Sequence, residues 1–302
     1  MSRYSAFICA FSAVACLALV TAVDASVRGL KKAVLMALTG GLCLCLAAAS
    51  VPASPIVLVH DNSQIRMDPV SQTGIYQWQV DGKNYLQQQW WWYRVGGTGP
   101  ESSVDTLNLV GQPTLTDSNG DGVNDMAVID YADLQGRMTL ELTHSLRGGV
   151  AGSGVSDLGE QILVQNTSLT SRLDLHLFQY VHMALSSGSD SVEFDGKYLV
   201  MQTDDTGAMY AEEVVTGRPQ HHEANVSPVT LTKLNDNVAT ILNDSNSAGP
   251  GDVTWAFQWD LSLAPGASYI ISKDKTLTVP EPATLALLGG GVAVALVSRR
   301  KK

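Results

Sequence analysis

The sequence predicts an all-β chain, a single β-sandwich of jelly-roll or Ig-like type spanning residues 54–278. Three observations lead there. Apolar residues in the body alternate with a period of two rather than 3.6. Turn dipeptides punctuate the chain at hairpin spacing. No window of twelve or more residues in the body carries a helical apolar stripe.

The strands can be taken in order. MTLELTHSL places Met138, Leu140 and Leu142 on one face, and LDLHLFQYV places Leu173, Leu175 and Leu177 against Asp174 and His176. DVTWAFQWDLSL is the clearest. Val253, Trp255, Phe257, Trp259, Leu261 and Leu263 share one face, and Asp252, Thr254, Gln258, Asp260 and Ser262 share the other. Ala264-Pro265-Gly266 then turns the chain into SYIISKDKTLTV, read as the partner strand. Asp81-Gly82, Asp195-Gly196 and Thr206-Gly207 have hairpin chemistry. Nine or more strands in one domain fit a sandwich.

The ends differ from the body. All four cysteines, Cys9, Cys16, Cys43 and Cys45, lie in the first 45 residues, so a chain trimmed there has no disulfide, thiolate metal site or cysteine nucleophile. Residues 1–53 hold two apolar segments, 5–23 and 33–49. The second follows Arg28, Lys31 and Lys32 and precedes small residues at Val51 and Ala53, the layout of a secretory signal over about 27–53. Two signals in tandem point to an over-extended start, with initiation near Val27 or Met36; a signal anchor followed by a second helix is the other reading. Between the ends, eleven Lys and Arg face twenty-seven Asp and Glu, a net of −16. That field excludes nucleic acid as a partner and favours solubility and divalent cations.

The last 24 residues, VPEPATLALLGGGVAVALVSRRKK, set a Pro-Glu-Pro break before a short apolar run, Leu285–Val297, and four cations. Thirteen apolar or glycine residues fall short of the roughly 20 that span a bilayer core in comfort. The basic end acts as a cytoplasmic stop. Val279, Pro280, Glu281 and Pro282, the short transmembrane helix, and Arg299, Arg300, Lys301 and Lys302 together resemble the PEP-CTERM sorting signal of Gram-negative bacteria. That resemblance implies Sec export, a transient stay in the inner membrane, and cleavage near Pro280–Pro282 by exosortase, a membrane-embedded, transpeptidase-like cysteine enzyme. Delivery to the cell surface or an exopolysaccharide matrix would follow. Gly152–Ser168, Asp174–Tyr180, Phe257–Trp259 with Leu263–Gly266, and Ser272–Lys275 resemble a segment of other secreted proteins with this tail. That likeness implies architecture and brings no activity.

Three constellations in the body invite chemistry. In DSNGDGVND, Asp117, Asn119 and Asp121 occupy positions 1, 3 and 5 of a Ca²⁺ loop, Val123 offers a carbonyl and Asp125 fills position 9. The stretch resembles the calcium loops of dockerin and thrombospondin type 3 repeats. Position 12 is Val128, however, and an ion-free Asp/Asn/Gly turn reads equally from these residues. Ca²⁺ is thus the one cofactor the sequence suggests. Trp90, Trp91, Trp92 and Tyr93 form the second group, either a core strand or an aromatic platform for a sugar face. The histidines His221 and His222 point opposite ways on a strand, and His176 and His182 stand about 20 Å apart, so neither pair chelates.

Signatures of catalysis are missing: no G-x-S-x-G, H-E-x-x-H, P-loop or dinucleotide glycines. Acidic pairs such as Asp204/Asp205 or Glu212/Glu213 are not distinguished among so many carboxylates. The expectation is a non-enzymatic surface or matrix protein of structural or adhesive role. A carbohydrate-binding module contacting exopolysaccharide is the alternative, with a glycan hydrolase behind it.

Overall fold

The computed structural model describes residues 54–185 and 188–280. The signal segment, the apolar run and the basic end lie outside the described residues. Alternation along the strands builds the fold. In β10 (Met138–Gly148) every second side chain from Met138 to Leu146 is buried, and in β11 (Val155–Asn166) every second one from Ser156 to Asn166. The two pair antiparallel with Leu142 opposite Ile162, so both present one apolar face to the interior.

Among the described residues there are nineteen strands in two sheets. The first sheet runs β1 (Ile56–His60), β2 (Ser63–Asp68), β3 (Gly74–Val80), β5 (Leu86–Val95), β12 (Leu173–Met183), β18 (Val253–Leu263) and β16 (His221–Val226). β4 (Lys83–Asn84) hangs on β3, and β6 (Ser102–Ser103) on β5. The second sheet runs β17 (Ser247–Gly251), β13 (Asp190–Asp195), β14 (Leu199–Thr203), β15 (Met209–Thr216), β19 (Ser268–Thr278), β11, β10, β9 (Met126–Ala132) and β7 (Asn108–Leu109), with β8 (Thr114–Thr116) on β9. Pairing between these strands is antiparallel except for a short parallel contact of β3 with β5, and Glu223 of β16 makes an isolated parallel bridge to Ser245. The fold is the expected all-β sandwich, with two broad sheets.

Two features depart from the expected strand partners and faces. β18 and β19 are not a hairpin. β18 pairs with β12 and β16 in the first sheet, β19 with β11 and β15 in the second, so Ala264-Pro265-Gly266 carries the chain across the sandwich. The outer face of the first sheet is also buried, which alternation alone does not reveal. Segments 97–107 and 227–246 cover it, the latter carrying helix α1 (Val229–Leu234). Trp92 Nε1 donates to Asn235 Oδ1 at 3.3 Å, Trp90 Nε1 to Asp105 Oδ1 at 3.2 Å, and Leu242 N to Gln258 Oε1 at 2.9 Å. Arg94 and Glu101 form a buried ion pair under this cover, and Thr240 N donates to Glu101 at 2.8 Å. Among the described residues no helix is long and apolar enough to cross a membrane.

Candidate functional site

The interior holds charge as well as hydrocarbon. Glu160 on β11, Glu212 on β15, and Lys273 and Lys275 on β19 are buried between the sheets with His144 of β10. Lys273 Nζ lies 2.5 Å from Glu160 Oε2 and 3.4 Å from Glu212 Oε1, and Lys275 Nζ donates to Glu160 Oε2 at 2.6 Å. The first sheet contributes donors: Trp91 Nε1 reaches Glu160 Oε1 at 3.0 Å, and Gln179 Nε2 reaches Glu212 Oε2 at 3.3 Å. Tyr210 Oη donates to the same Glu212 oxygen at 2.5 Å. Two carboxylates and two ammoniums leave the group neutral overall, which is how charge survives away from water. Burial pushes the Glu160 carboxyl up, but Lys273, Lys275 and His144 outweigh it and hold it well below the usual range. Burial also pushes the Lys273 ammonium down to about 8, against the pull of Glu160 and Glu212.

The pH dependence has a definite sign. Stability contributed by Glu160 is complete above about pH 4.5 and is lost as pH falls through its lowered folded value. Between about 8 and 10.5 the unfolded chain keeps a proton that folded Lys273 has released, so this group adds stability as pH rises there. A thermal midpoint that drops in acid, with an alkaline rise removed by Lys273→Met, is the expected profile.

The Asp117–Asp125 loop turns its oxygens on itself. Asp117 accepts from Gly120 N at 2.6 Å and Gly122 N at 2.8 Å, which hold its carboxyl below the usual range. Asp121 accepts from Val123 N and from Asn119 Nδ2. Asp125 is buried, and its carboxylate takes the amide and hydroxyl of Ser118 at 2.9 and 2.7 Å. Among the described residues no group of three or more His, Cys, Asp or Glu is placed to hold a metal ion. As placed, the loop is a turn closed by its own amides. The thermal midpoint is accordingly expected to be the same in chelator and in millimolar calcium. A rise with calcium would mean that the loop rearranges around the ion.

The aromatic platform is corrected by burial. Trp90, Trp91 and Trp92 are 1%, 1% and 0% exposed, and Tyr93 is half-buried against the core. Trp91 faces the sandwich interior, 5.4 Å from Trp259 between ring centroids and beneath Lys273 Nζ. Trp90 and Trp92 lie under the covering segments. None of the three offers a ring face to a sugar. These histidines are each paired with aspartates: His182 with Asp252 at 2.6 Å, His176 with Asp260 at 2.6 Å, and His221 with Asp244 at 3.0 Å, while His221 also lies 3.7 Å from Asp260 and His222 3.4 Å from Asp244.

The C-terminal exit is closely framed by its neighbours. β19 is a central strand, and its last residue, Thr278, is opposite both Val155 and Met209. Val279 is buried, and its N–H donates to Gly154 O at 2.8 Å. Gly154 has φ +66°, and a Cβ there would stand 2.0 Å from Val279 O, so only glycine admits this approach. Four turns ring the exit: 60–63, 81–82, 149–154 and 204–207. Asp81 accepts from Gly152 N at 2.6 Å and Gly154 N at 2.9 Å. Asn62 accepts from Gly149 N at 2.9 Å and donates to Ser153 Oγ at 3.3 Å. Pro280 is exposed beyond this collar. Glu281, Pro282, Arg299, Arg300, Lys301 and Lys302 lie outside the described residues.

Residues 278–301 match the family described as the PEP-CTERM protein-sorting motif. The tail is a PEP-CTERM sorting motif. A PEP-CTERM tail implies an exported protein that is anchored at the membrane and processed by exosortase. No curated protein sequence matches the chain. Among solved structures, the chain is similar to a bacterial glucoamylase complexed with acarbose, at TM-score 0.47 and 11% identity over 80% of this chain and 36% of the other. It is similar to a GalM/aldose epimerase homologue from C. elegans at TM-score 0.43 and 8% identity, over 76% and 99%. For an α-mannosidase of family GH92 from Bacteroides thetaiotaomicron the values are 0.37 and 8%, over 73% and 30%. The chain thus spans about a third of the glucoamylase and of the mannosidase. At these scores the likeness carries no argument about substrate or reaction.

The buried charges of the body are not flagged by any local motif, although the sequence carries a signal for them. Lys273 and Lys275 share parity with Ile271 and Leu277, Glu160 with Leu158 and Ile162, and Glu212 with Tyr210 and Val214. A charge on the apolar parity of several strands marks an internal cluster.

Proposed function

We propose that this chain is a non-enzymatic structural or adhesive protein of the cell surface or extracellular matrix, exported and then released from its membrane tail by exosortase. The observation that carries the reading is the sorting motif joined directly, without a linker, to a sandwich whose core and charge cluster face inward. Supporting it, the Glu160, Glu212, Lys273 and Lys275 cluster lies between the sheets, out of reach of a polymeric substrate, and the tryptophans are packed away. The surplus of sixteen negative charges keeps such a body soluble outside the cell. The test compares a deletion strain with one complemented by the full chain. Loss of cohesion of the surface layer, with no turnover of its polysaccharide by the purified body, is expected. Polysaccharide cleavage by that body would contradict the reading.

A further inference from the structure

We infer, building on the sorting reading above, that the collar around the exit of β19 is the surface that meets the sorting enzyme, and that it fixes the upstream limit of the cut at Pro280. Three observations converge. First, the backbone through Val279 is unavailable to a cleft that needs extended chain. Thr278 is held between two neighbouring strands, and Val279 is buried and hydrogen-bonded to Gly154. Backbone that is buried and paired resists cleavage, whereas exposed ends do not. Pro280 is the first exposed residue after it.

Second, distance forces contact. From Val279 to Leu285, where the apolar run begins, there are six residue steps, a reach of about 20 Å at full extension. An enzyme embedded in the membrane and acting on this stretch must therefore approach the collar closely.

Third, the collar is built low and charged one way. Its turns are made largely of Gly82, Ala151, Gly152, Ser153 and Gly207, and they carry Asp61, Asp81, Asp204 and Asp205 with no lysine or arginine. Three of the turns, 60–63, 81–82 and 149–154, are locked together by the Asp81 and Asn62 hydrogen bonds, and the fourth, 204–207, is closed by its own Asp204 bonds, so this is a fixed seat rather than a set of loose loops. Small residues let a partner come near. The negative charge repels an anionic leaflet and favours a protein partner with a cationic rim.

The covalent step is a transfer. One peptide C–N bond at or after Pro280 breaks, its acyl group passes to water or to an amine acceptor, and the tail nitrogen leaves with the acceptor's proton.

The test follows removal of the tail in a host that encodes an exosortase. Three forms are compared: the native chain, the Ala151→Trp/Asp205→Trp variant, and that variant with Gly-Ser-Gly-Ser-Gly-Ser-Val inserted after Val279, which keeps Val-Pro-Glu-Pro-Ala-Thr intact. Both substituted positions are exposed in turns, and an unchanged thermal midpoint confirms the fold. The native product should end at Pro280 or later. Bulk on the collar should slow tail removal about fivefold or more, since displacing a reacting group by even an ångström is costly, and the spacer should restore the rate. An unchanged rate, a slowing that the spacer does not relieve, or a product ending before Pro280 overturns the inference while leaving the sorting reading intact. Binding of the isolated body to anionic vesicles through the collar would overturn it too, by assigning the seat to lipid. A tail kept in all three forms would instead defeat the sorting reading on which the inference rests.

Discussion

Gly74→Ala is expected to be one of the most damaging single methyls among the described residues. Gly74 opens β3 at φ +52°, where it meets β5 in a short parallel contact. A Cβ there would stand 2.0 Å from Trp90 Cε3, 2.3 Å from Trp90 Cδ2 and 2.6 Å from Gln89 O. Trp90 cannot yield, because it is buried, makes an edge contact with Tyr131 and donates to Asp105. Overpacking of a rigid ring and the strain of a left-handed alanine add to about 3–4 kcal/mol. Equilibrium urea unfolding of the body reads this directly as a lower midpoint at unchanged slope. Gly82→Ala is the control. Its φ is +79°, but nothing lies within 4 Å of the added carbon, so only the conformational cost of about 1 kcal/mol remains. Equal losses at the two glycines would show that Trp90 moves aside.

Glu160→Gln should cost nearly as much, for a different reason. It leaves Lys273 and Lys275 buried with Glu212 as the remaining carboxylate, and puts one carbonyl oxygen and one amide donor where two carboxylate oxygens served the lysines, Trp91 and His144. Breaking a buried pair by removing one partner costs about 3–5 kcal/mol, because a desolvated charge is left behind. Adding Lys273→Met to Glu160→Gln should recover part of the loss, since the double change removes one charge of each sign. If the double variant is no better than Glu160→Gln alone, the cluster is held by shape rather than by charge balance.

Much of the architecture could be read from the chain because a strand's inner face is written in every second residue. Met138, Leu140 and Leu142, and the alternate aromatics Trp255, Phe257 and Trp259, turn inward as expected. What periodicity cannot report is the partner of a strand. Ala264-Pro265-Gly266 reads as a hairpin turn, yet it crosses between sheets, because two long strands can each find better neighbours elsewhere. Nor does periodicity show a cover: Trp90, Trp92, Phe178 and Tyr180 sit on a face that segments 97–107 and 227–246 seal, and only long-range folding brings those segments there. The same reason defeats the aromatic platform. The Asp117–Asp125 spacing was legible as a loop but not its content, since spacing fixes which residues are near and not whether their oxygens aim at a common point. At the C-terminal exit, Gly152 and Gly154 belong to a collar tied by Asp81, 71 and 73 residues upstream, and no local pattern links them. The sorting motif itself was fully legible, because it acts as a short linear signal.

The intact mass of the exported protein, made in a host that encodes an exosortase, tests the account most directly. The account predicts a product that begins near Ser54, retains Val279 and ends between Pro280 and Thr284. A product that still carries Leu285–Lys302 would contradict it, and would leave the β-sandwich a permanently membrane-tethered protein.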